Sequence, residues 1–311
     1  MTETIEVVAG VIERQDGHFL LASRPEGKPY AGYWEFPGGK IEQGEVAHKA
    51  LARELYEELG IHDLVAYPWI HRKFSYPHAN VNIHFYRIRS WSGTPSSLEG
   101  QNFCWCSPGN PPPEPMLPAN YPVLSALALP SYYALTHFND PADPLSINSF
   151  ISALEKGVRL ILMREPWINE AERIKLAKIL KPLVLEKNAS LLIHGTEGLA
   201  HAAGVDGIHF NSYELMRLDA RPNFSICAAS VHNADEISKA VELGLDFIML
   251  SPVLRTKSHP EKEPIGWGSF ASLVSECPIP VFALGGLAPG DLYAAMKAGS
   301  HGVAMQRAIW L

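Results

Sequence analysis

The chain has 311 residues, enough for two domains that each bury a core of their own. With 47% hydrophobic and 19% charged residues it has the make-up of an ordinary globular protein, and its net charge of −7 argues against broad binding to the phosphate backbone of intact DNA or RNA. No apolar run approaches the roughly 18 residues of a membrane span, no basic-then-apolar leader opens the chain, and the four cysteines (Cys104, Cys106, Cys227, Cys277) show neither a disulfide framework nor zinc spacing. The expectation is a cytoplasmic protein with reduced thiols and no membrane partner.

In chain order, residues 5–13 (IEVVAGVIE) and 18–23 (HFLLAS) read as strands around a turn at Asp16-Gly17. A loop and a helix within residues 39–61 follow, then strands at 71–77, 81–91 and 101–107. Residues 110–115 (NPPPEP) are too proline-rich for a strand, and 118–128 read as a closing helix. The pattern predicts an α+β domain with a mixed sheet over residues 1–130. Beyond it, short apolar runs alternate with helical stretches: YYALTHF, GVRLILM, SLLIHG, GIHF, SICAAS, FIMLSP, VFALGG and GVAMQR. Eight strands with intervening helices predict a (β/α)₈ barrel over residues 131–311, its last helix vestigial.

Residues 39–61 read GKIEQGEVAHKALARELYEELGI. On a helix Glu54, Glu57 and Glu58 stand at i, i+3 and i+4, so their carboxylates leave from one face. Leu51, Leu55 and Leu59 form an apolar stripe on another, and Ala47 and Ala50 are read as small residues leaving room near the acids. Three like charges this close repel one another by a few tenths of a kcal/mol per pair when exposed. A divalent cation reverses that sign, and Mg²⁺ favours hard oxygen ligands shared with phosphate. Gly38 and Gly39 allow backbone to approach a metal or phosphate closely, and Gly60 suits a helix C-terminus.

The nine positions Gly39, Glu45, Arg53, Glu54, Leu55, Glu57, Glu58, Gly60 and Ile61 match the spacing of the Nudix box, the signature of Mg²⁺-dependent hydrolases of nucleoside diphosphate linkages. Residues 5–127 are further similar to the 8-oxo-dGTP diphosphatase (MutT) family. The resemblance is carried by EFPGGKIE (35–42), SWSG (90–93), LEGQ (98–101) and PAN (118–120). It implies an ion, Mg²⁺ or alternatively Mn²⁺, held by Glu54, Glu57, Glu58, Glu99 and the Gly38 carbonyl, with Arg53 orienting a ligand carboxylate. It implies that Glu54 or Glu99 activates water, Asn120 reads a purine edge, Phe36 lines the base pocket and Arg24 contacts the nucleotide. Taken alone, Asn120 reads as a helix N-cap, Phe36 as core and Arg24 as surface. The family's base-contacting arginine after the box is replaced by His78-Ala79-Asn80, so His78 or Asn80 takes that contact or base selectivity is weaker.

Residues 131–311 resemble the thiamine phosphate synthase and thiazole tautomerase superfamily through ILMREP (161–166), VDGIHF (205–210), SVHNADE (230–236), LGLDFIMLSPVLRTKSHP (243–260), GWGSF (266–270), VFALGGLAP (281–289) and AGSHGVAM (298–305). The resemblance implies phosphate binding at Gly285-Gly286, for which a plain turn is the alternative, and retains Arg164, Ser230 and Thr256 as substrate-binding positions. Other synthase positions hold Leu162, Pro166, His194-Gly195, Glu214 and His259, which removes a Mg²⁺-binding Asp and a pyrophosphate-binding Lys and speaks against synthase activity. The tautomerase pattern Ser-x-His survives and places His232 as an acid/base group, with a structural loop histidine as the alternative.

Together these readings imply a Mg²⁺-dependent pyrophosphohydrolase of 8-oxo-dGTP, serving nucleotide-pool sanitation and DNA repair. The barrel is expected to take a phosphate-bearing thiazole or pyrimidine. The alternatives are hydrolysis of thiamine-pathway pyrophosphates, or a barrel that only senses phosphate ligands and regulates the hydrolase.

Overall fold

A computed structural model describes residues 4–138, 143–256 and 261–310, so His259 lies outside the described residues. The chain divides into two compact units, Met1–Ala128 and Leu129–Leu311.

In the first unit a four-stranded sheet has the order β4-β1-β6-β5, from β1 (Thr4–Ile12), β4 (Gly38–Lys40), β5 (His62–Tyr76) and β6 (Ala79–Ser92). β1 runs parallel to β6 and antiparallel to β4, so the sheet is mixed. A second, three-stranded sheet sets β2 (Phe19–Ser23) between β3 (Trp34–Glu35) and β7 (Phe103–Cys106). Side-chain alternation along β1 builds two cores. Val8 and Ile12 face α1 (Ala47–Leu59) and its buried Leu51, Leu55 and Leu59, while Ala9 and Val11 face Phe36, Phe85 and the buried side of α2 (Tyr121–Leu127). Each of those buried leucines contributes about 1.5–3 kcal/mol. Gly60 ends α1 in the left-handed conformation, φ 70°.

Two details differ from the expectation. Ala50 is fully buried beside the leucines and Ala47 packs against the same core, so neither makes room for a ligand. The predicted strand at 71–77 is the end of a strand that begins at His62 and loses register between Pro68 and His71, where proline interrupts the alternation.

The second unit is a closed barrel of eight parallel strands: β8 (Tyr132–Leu135), β9 (Leu160–Met163), β10 (Ser190–His194), β11 (Gly207–Phe210), β12 (Ile226–Val231), β13 (Phe247–Leu250), β14 (Val281–Leu284) and β15 (Gly302–Met305), with β15 pairing back to β8. Alternation again sorts the residues. Leu160, Leu162, Phe247, Met249 and Phe282 fill the barrel, whereas Ile161, Met163, Ile248, Leu250 and Ala283 face the surrounding helices. Those helices are α3 (Pro144–Glu155), α4 (Glu170–Glu186), α5 (Glu197–Ala203), α6 (Ser212–Leu215), α7 (Ala234–Glu242), α8 (Gly266–Val274) and α9 (Leu292–Lys297). After β15 comes a 3₁₀ turn, Ala308–Trp310, whose Trp310 stacks on Phe150 and donates its indole N–H to the Leu135 carbonyl. Among the described residues no helix is long and apolar enough to cross a membrane.

Candidate active sites

The acidic face of α1 lies against β4. Arg53 organises it: Nε and Nη2 reach the Glu45 carboxylate at 3.1 and 2.9 Å, Nη1 reaches Glu54 at 2.8 Å and Glu57 at 3.2 Å, and Nη2 also donates to the Lys40 carbonyl. The guanidinium therefore gathers three carboxylates rather than pairing with one. Glu54 leans so far onto β4 that a Cβ on Gly39 would meet its carboxylate closer than 3.0 Å; the missing side chain is what lets the acid lie there. Glu58 accepts the Gly38 N–H at 3.1 Å, and its carboxyl is pushed up to about 8, chiefly by burial and then by the charge of Glu35. Gly38 thus turns its N–H toward the box helix. Glu99 is held by the Lys28 ammonium at 2.9 Å, and the charge of Lys28 also acts on Glu58.

Among the described residues no three His, Cys, Asp or Glu side chains stand ready as a metal site. The donor set nevertheless suits a hard divalent cation. Glu45, Glu54 and Glu57 are held by Arg53 and Glu99 by Lys28, while partial burial keeps the Glu58 carboxyl high although the Lys28 charge reaches it.

Beside this face, Trp34 on β3 pairs with the segment leading into α2: its N–H donates to Pro115 O and its carbonyl accepts from Leu117 N–H. That pairing carries Asn120 to the edge bearing Glu35 and Phe36. Asn120 is buried (5% exposed) at the first turn of α2, yet its side chain makes no capping hydrogen bond. The Tyr76 hydroxyl, hydrogen-bonded to the Ala119 backbone, is pushed up to about 12, mainly by burial. Glu35 holds Arg24 in a two-pronged pair at 2.9 and 2.8 Å, and burial raises its carboxyl despite that partner. Arg24 Nε also donates to Pro29 O at 2.7 Å. Phe36 stands next to Glu35 in the chain and packs inward. It is 2% exposed with its ring 6.0 Å from both Phe19 and Phe85, and belongs to the core.

The aromatic surface lies elsewhere. Tyr30, held at φ 61°, meets Tyr76 and His78 at 5.5 Å each, and Tyr76 meets His78 at 5.7 Å. His78, in the turn between β5 and β6, therefore joins the cluster, whereas Asn80 lies in β6 opposite Thr4 of β1. Glu35 and the tyrosines escaped the sequence reading because they come together only through the sheet.

In the barrel, Arg164 follows β9 and Glu165 is buried beside it, its Oε1 accepting from the Thr136 hydroxyl at 2.6 Å and the Phe138 N–H at 3.2 Å. His209 sits inside the barrel between the Tyr133 hydroxyl (3.1 Å) and the Ser230 hydroxyl (2.9 Å), so Ser230 is already engaged. His232 follows β12, half-exposed, with Nδ1 3.0 Å from Glu236. Gly285 accepts the Leu254 N–H, so the Gly285-Gly286 turn is tied to the loop after β13, which is described as far as Thr256.

Comparison with known proteins agrees with this division. A NUDIX domain model matches residues 8–126 and a thiamine monophosphate synthase model matches residues 133–309. A CTP pyrophosphohydrolase of Escherichia coli (strain K12) is 42% identical over 122 residues, covering 39% of this chain and 90% of that protein. An 8-oxo-dGTP diphosphatase of Haemophilus influenzae is 42% identical over 101 residues, 32% of this chain and 74% of that protein. A protein of Aquifex aeolicus (strain VF5) provisionally named thiamine-phosphate synthase 2 is 34% identical over 183 residues, 57% of this chain and 96% of that protein. The chain belongs to the Nudix hydrolases through its first unit and to the thiamine monophosphate synthase family through its second.

Proposed function

We propose that the Nudix unit is a Mg²⁺-dependent nucleoside triphosphate pyrophosphohydrolase acting on 8-oxo-dGTP in the cytoplasm, and so clears oxidised nucleotide before DNA synthesis. The observation that carries this reading is Asn120: a buried amide, unused as a helix cap, beside the Tyr76 hydroxyl. An amide offers an acceptor and two donors in fixed geometry, which suits a purine edge, and oxidation at C8 turns N7 from acceptor to donor. Tyr30, Tyr76 and His78 supply faces for the base, and Arg24 with Glu35 supplies a charged edge.

Arg53 holds Glu54 and Glu57 on one face, and Gly38 steadies Glu58. Glu54, Glu57, Glu58, Glu99 and the Gly38 carbonyl would hold a divalent ion, Mg²⁺ or Mn²⁺, which would supply positive charge to the phosphoryl oxygens. Glu54 or Glu99 takes a proton from a water whose oxygen attacks the β-phosphorus. The bond from that phosphorus to the oxygen bridging it to the α-phosphorus breaks, leaving 8-oxo-dGMP and pyrophosphate.

A panel of 8-oxo-dGTP, dGTP, CTP, thiamine diphosphate and hydroxymethylpyrimidine diphosphate under Mg²⁺ tests the assignment. The highest kcat/KM is expected for 8-oxo-dGTP, at least tenfold above dGTP. Preference for CTP or for a thiamine-pathway diphosphate would overturn it.

For the barrel, the pair His232–Glu236 favours a tautomerase-type role on a phosphate-bearing thiazole, because a carboxylate that orients an imidazole is what an acid/base histidine needs. Isomer exchange of thiazole carboxylate phosphate, followed by NMR, should vanish in His232→Ala; equal exchange in the variant would refute the role.

A further inference from the structure

All four cysteines are free thiols, and they differ in how far solvent reaches them. Cys227 and Cys277, in the barrel unit, are 0% and 3% exposed, whereas Cys104 and Cys106 are only partly buried. These two stand on β7, two residues apart and so on one face of the strand, with their sulfurs 3.5 Å from each other. Leu21 and Phe19 of β2 lie opposite them, and both thiols border the core that contains Phe36 and the buried side of α2. Burial, and then the hydrogen bond with Cys104, push the Cys106 thiol up to about 12. Cys106 therefore keeps its proton, which leaves Cys104 as the sulfur that meets an oxidant first.

The strand that carries them can yield. β7 has four residues and, among the described residues, pairs on one side only, with β2. Residues two apart on a strand place their Cα atoms roughly 6.6 Å from each other, near the upper end of what a disulfide spans, so β7 must bulge to let the sulfurs bond. An edge strand can bulge without breaking a second ladder, and a cross-link held this way is readily reduced again. The movement has a route to the acidic face of α1. Asn102, just before β7, donates its N–H to the Ser23 hydroxyl at 3.0 Å and accepts the Ser23 N–H at 2.8 Å. Gln101 next to it is buried; its Nε2 donates to the Glu58 carbonyl at 2.7 Å and its Oε1 accepts the Glu99 N–H at 3.0 Å. One amide thus ties the approach to β7 both to the last turn of α1 and to Glu99.

We infer that Cys104 and Cys106 are a peroxide-responsive pair whose closure to a disulfide shifts Glu99 and slows the Nudix unit. The Cys104 sulfur attacks one oxygen of hydrogen peroxide, the O–O bond breaks, and the leaving hydroxide takes the Cys104 proton as water, giving a sulfenic acid. The Cys106 sulfur then attacks the sulfenic sulfur. The S–S bond forms, the S–O bond breaks, and hydroxide departs with the Cys106 proton as a second water. Two thiols are oxidised and one peroxide is reduced, with no further reactant. The effect on turnover rests on the proposed reading of the Nudix unit; the cross-link itself does not.

The test treats the full chain, as wild type, Cys104→Ser and Cys106→Ser, with a small excess of hydrogen peroxide. Mass spectrometry of the chain and its peptides is read alongside turnover of whichever panel nucleotide the reduced chain hydrolyses best. The wild type should lose the mass of two hydrogens from the peptide holding β7, and kcat should fall by about tenfold or more, since roughly 1 Å at a reacting carboxylate is enough for that. Dithiothreitol should restore both. Either serine variant should hydrolyse as the reduced wild type does, before and after peroxide. Oxygen added to β7 without loss of two hydrogens, or a cross-link between chains, would overturn the pairing. A cross-link that leaves kcat unchanged, or equal slowing of the serine variants, would overturn the route through Gln101. No hydrolysis of any panel nucleotide by the reduced chain would overturn the Nudix reading and the control of turnover with it, and the mass shift would still decide the cross-link.

Discussion

Two adjacent glycines in the Nudix unit should respond in opposite ways to the same methyl group. At Gly39 the three atoms nearest the added Cβ all belong to the Glu54 carboxylate, the far end of a flexible side chain, and the backbone angle suits any residue. Glu54 can swing away. The stability cost is then the Arg53–Glu54 pair, 2.8 Å and partly exposed, worth about 1 kcal/mol or less. The catalytic cost is much larger, because moving a reacting carboxylate by about 1 Å costs on the order of 10²-fold in rate. At Gly38 the Cβ would collide with the Val8 carbonyl on β1, and φ is +148°. Backbone cannot step aside without opening the β1–β4 ladder, and the angle alone adds about 1–3 kcal/mol of strain. Gly39→Ala should therefore melt close to wild type while hydrolysing 8-oxo-dGTP about a hundredfold more slowly, and Gly38→Ala should melt well below it. Steady-state kinetics and thermal melts of both variants decide the matter. A Gly39→Ala enzyme with wild-type turnover would show that the Glu54 position is not needed for catalysis.

Three other substitutions probe separate parts of the account. Glu57 is half-exposed and, among the described residues, tied only to Arg53, so Glu57→Gln should lower kcat by orders of magnitude with a nearly unchanged melting temperature; retained turnover would remove it from the site. Asn120→Ala removes no helix cap, so stability should hold while the preference for 8-oxo-dGTP over dGTP falls by roughly 10- to 100-fold, the equivalent of about 1–3 kcal/mol of base discrimination; an unchanged ratio of kcat/KM values would exclude base reading by this residue. Burial pushes the Glu165 carboxyl up to about 7 from 4.5, so the folded chain holds that proton more tightly than the unfolded one. Its contribution to stability is complete below about pH 4.5 and is lost as pH rises through about 7, on the order of a few kcal/mol. Glu165→Gln should flatten the fall in melting temperature across that interval, and parallel pH profiles would contradict the assignment.

What could be read from the sequence follows how local each feature is. Glu54, Glu57 and Glu58 share a helix face by spacing alone, and the eight barrel strands announce themselves as short apolar runs. Arg53 was legible as a partner for carboxylates, though not that it would hold Glu45, Glu54 and Glu57 together. Features built across the sheet were hidden. Glu35 acts on Glu58 from another element, and Tyr30 reaches Tyr76 and His78 only after the loop before β3 folds over the β5–β6 turn. The hydrophobic character of Phe36 alone pointed to the core in which it is buried.

The most direct test of the central claim is hydrolysis of 8-oxo-dGTP by the full chain in ¹⁸O-labelled water with Mg²⁺, the products resolved by ³¹P NMR. Attack at the β-phosphorus by a water activated on the acidic face of α1 predicts that the label enters pyrophosphate and leaves 8-oxo-dGMP unlabelled. Label in the nucleoside monophosphate, or no hydrolysis of this substrate, would contradict it.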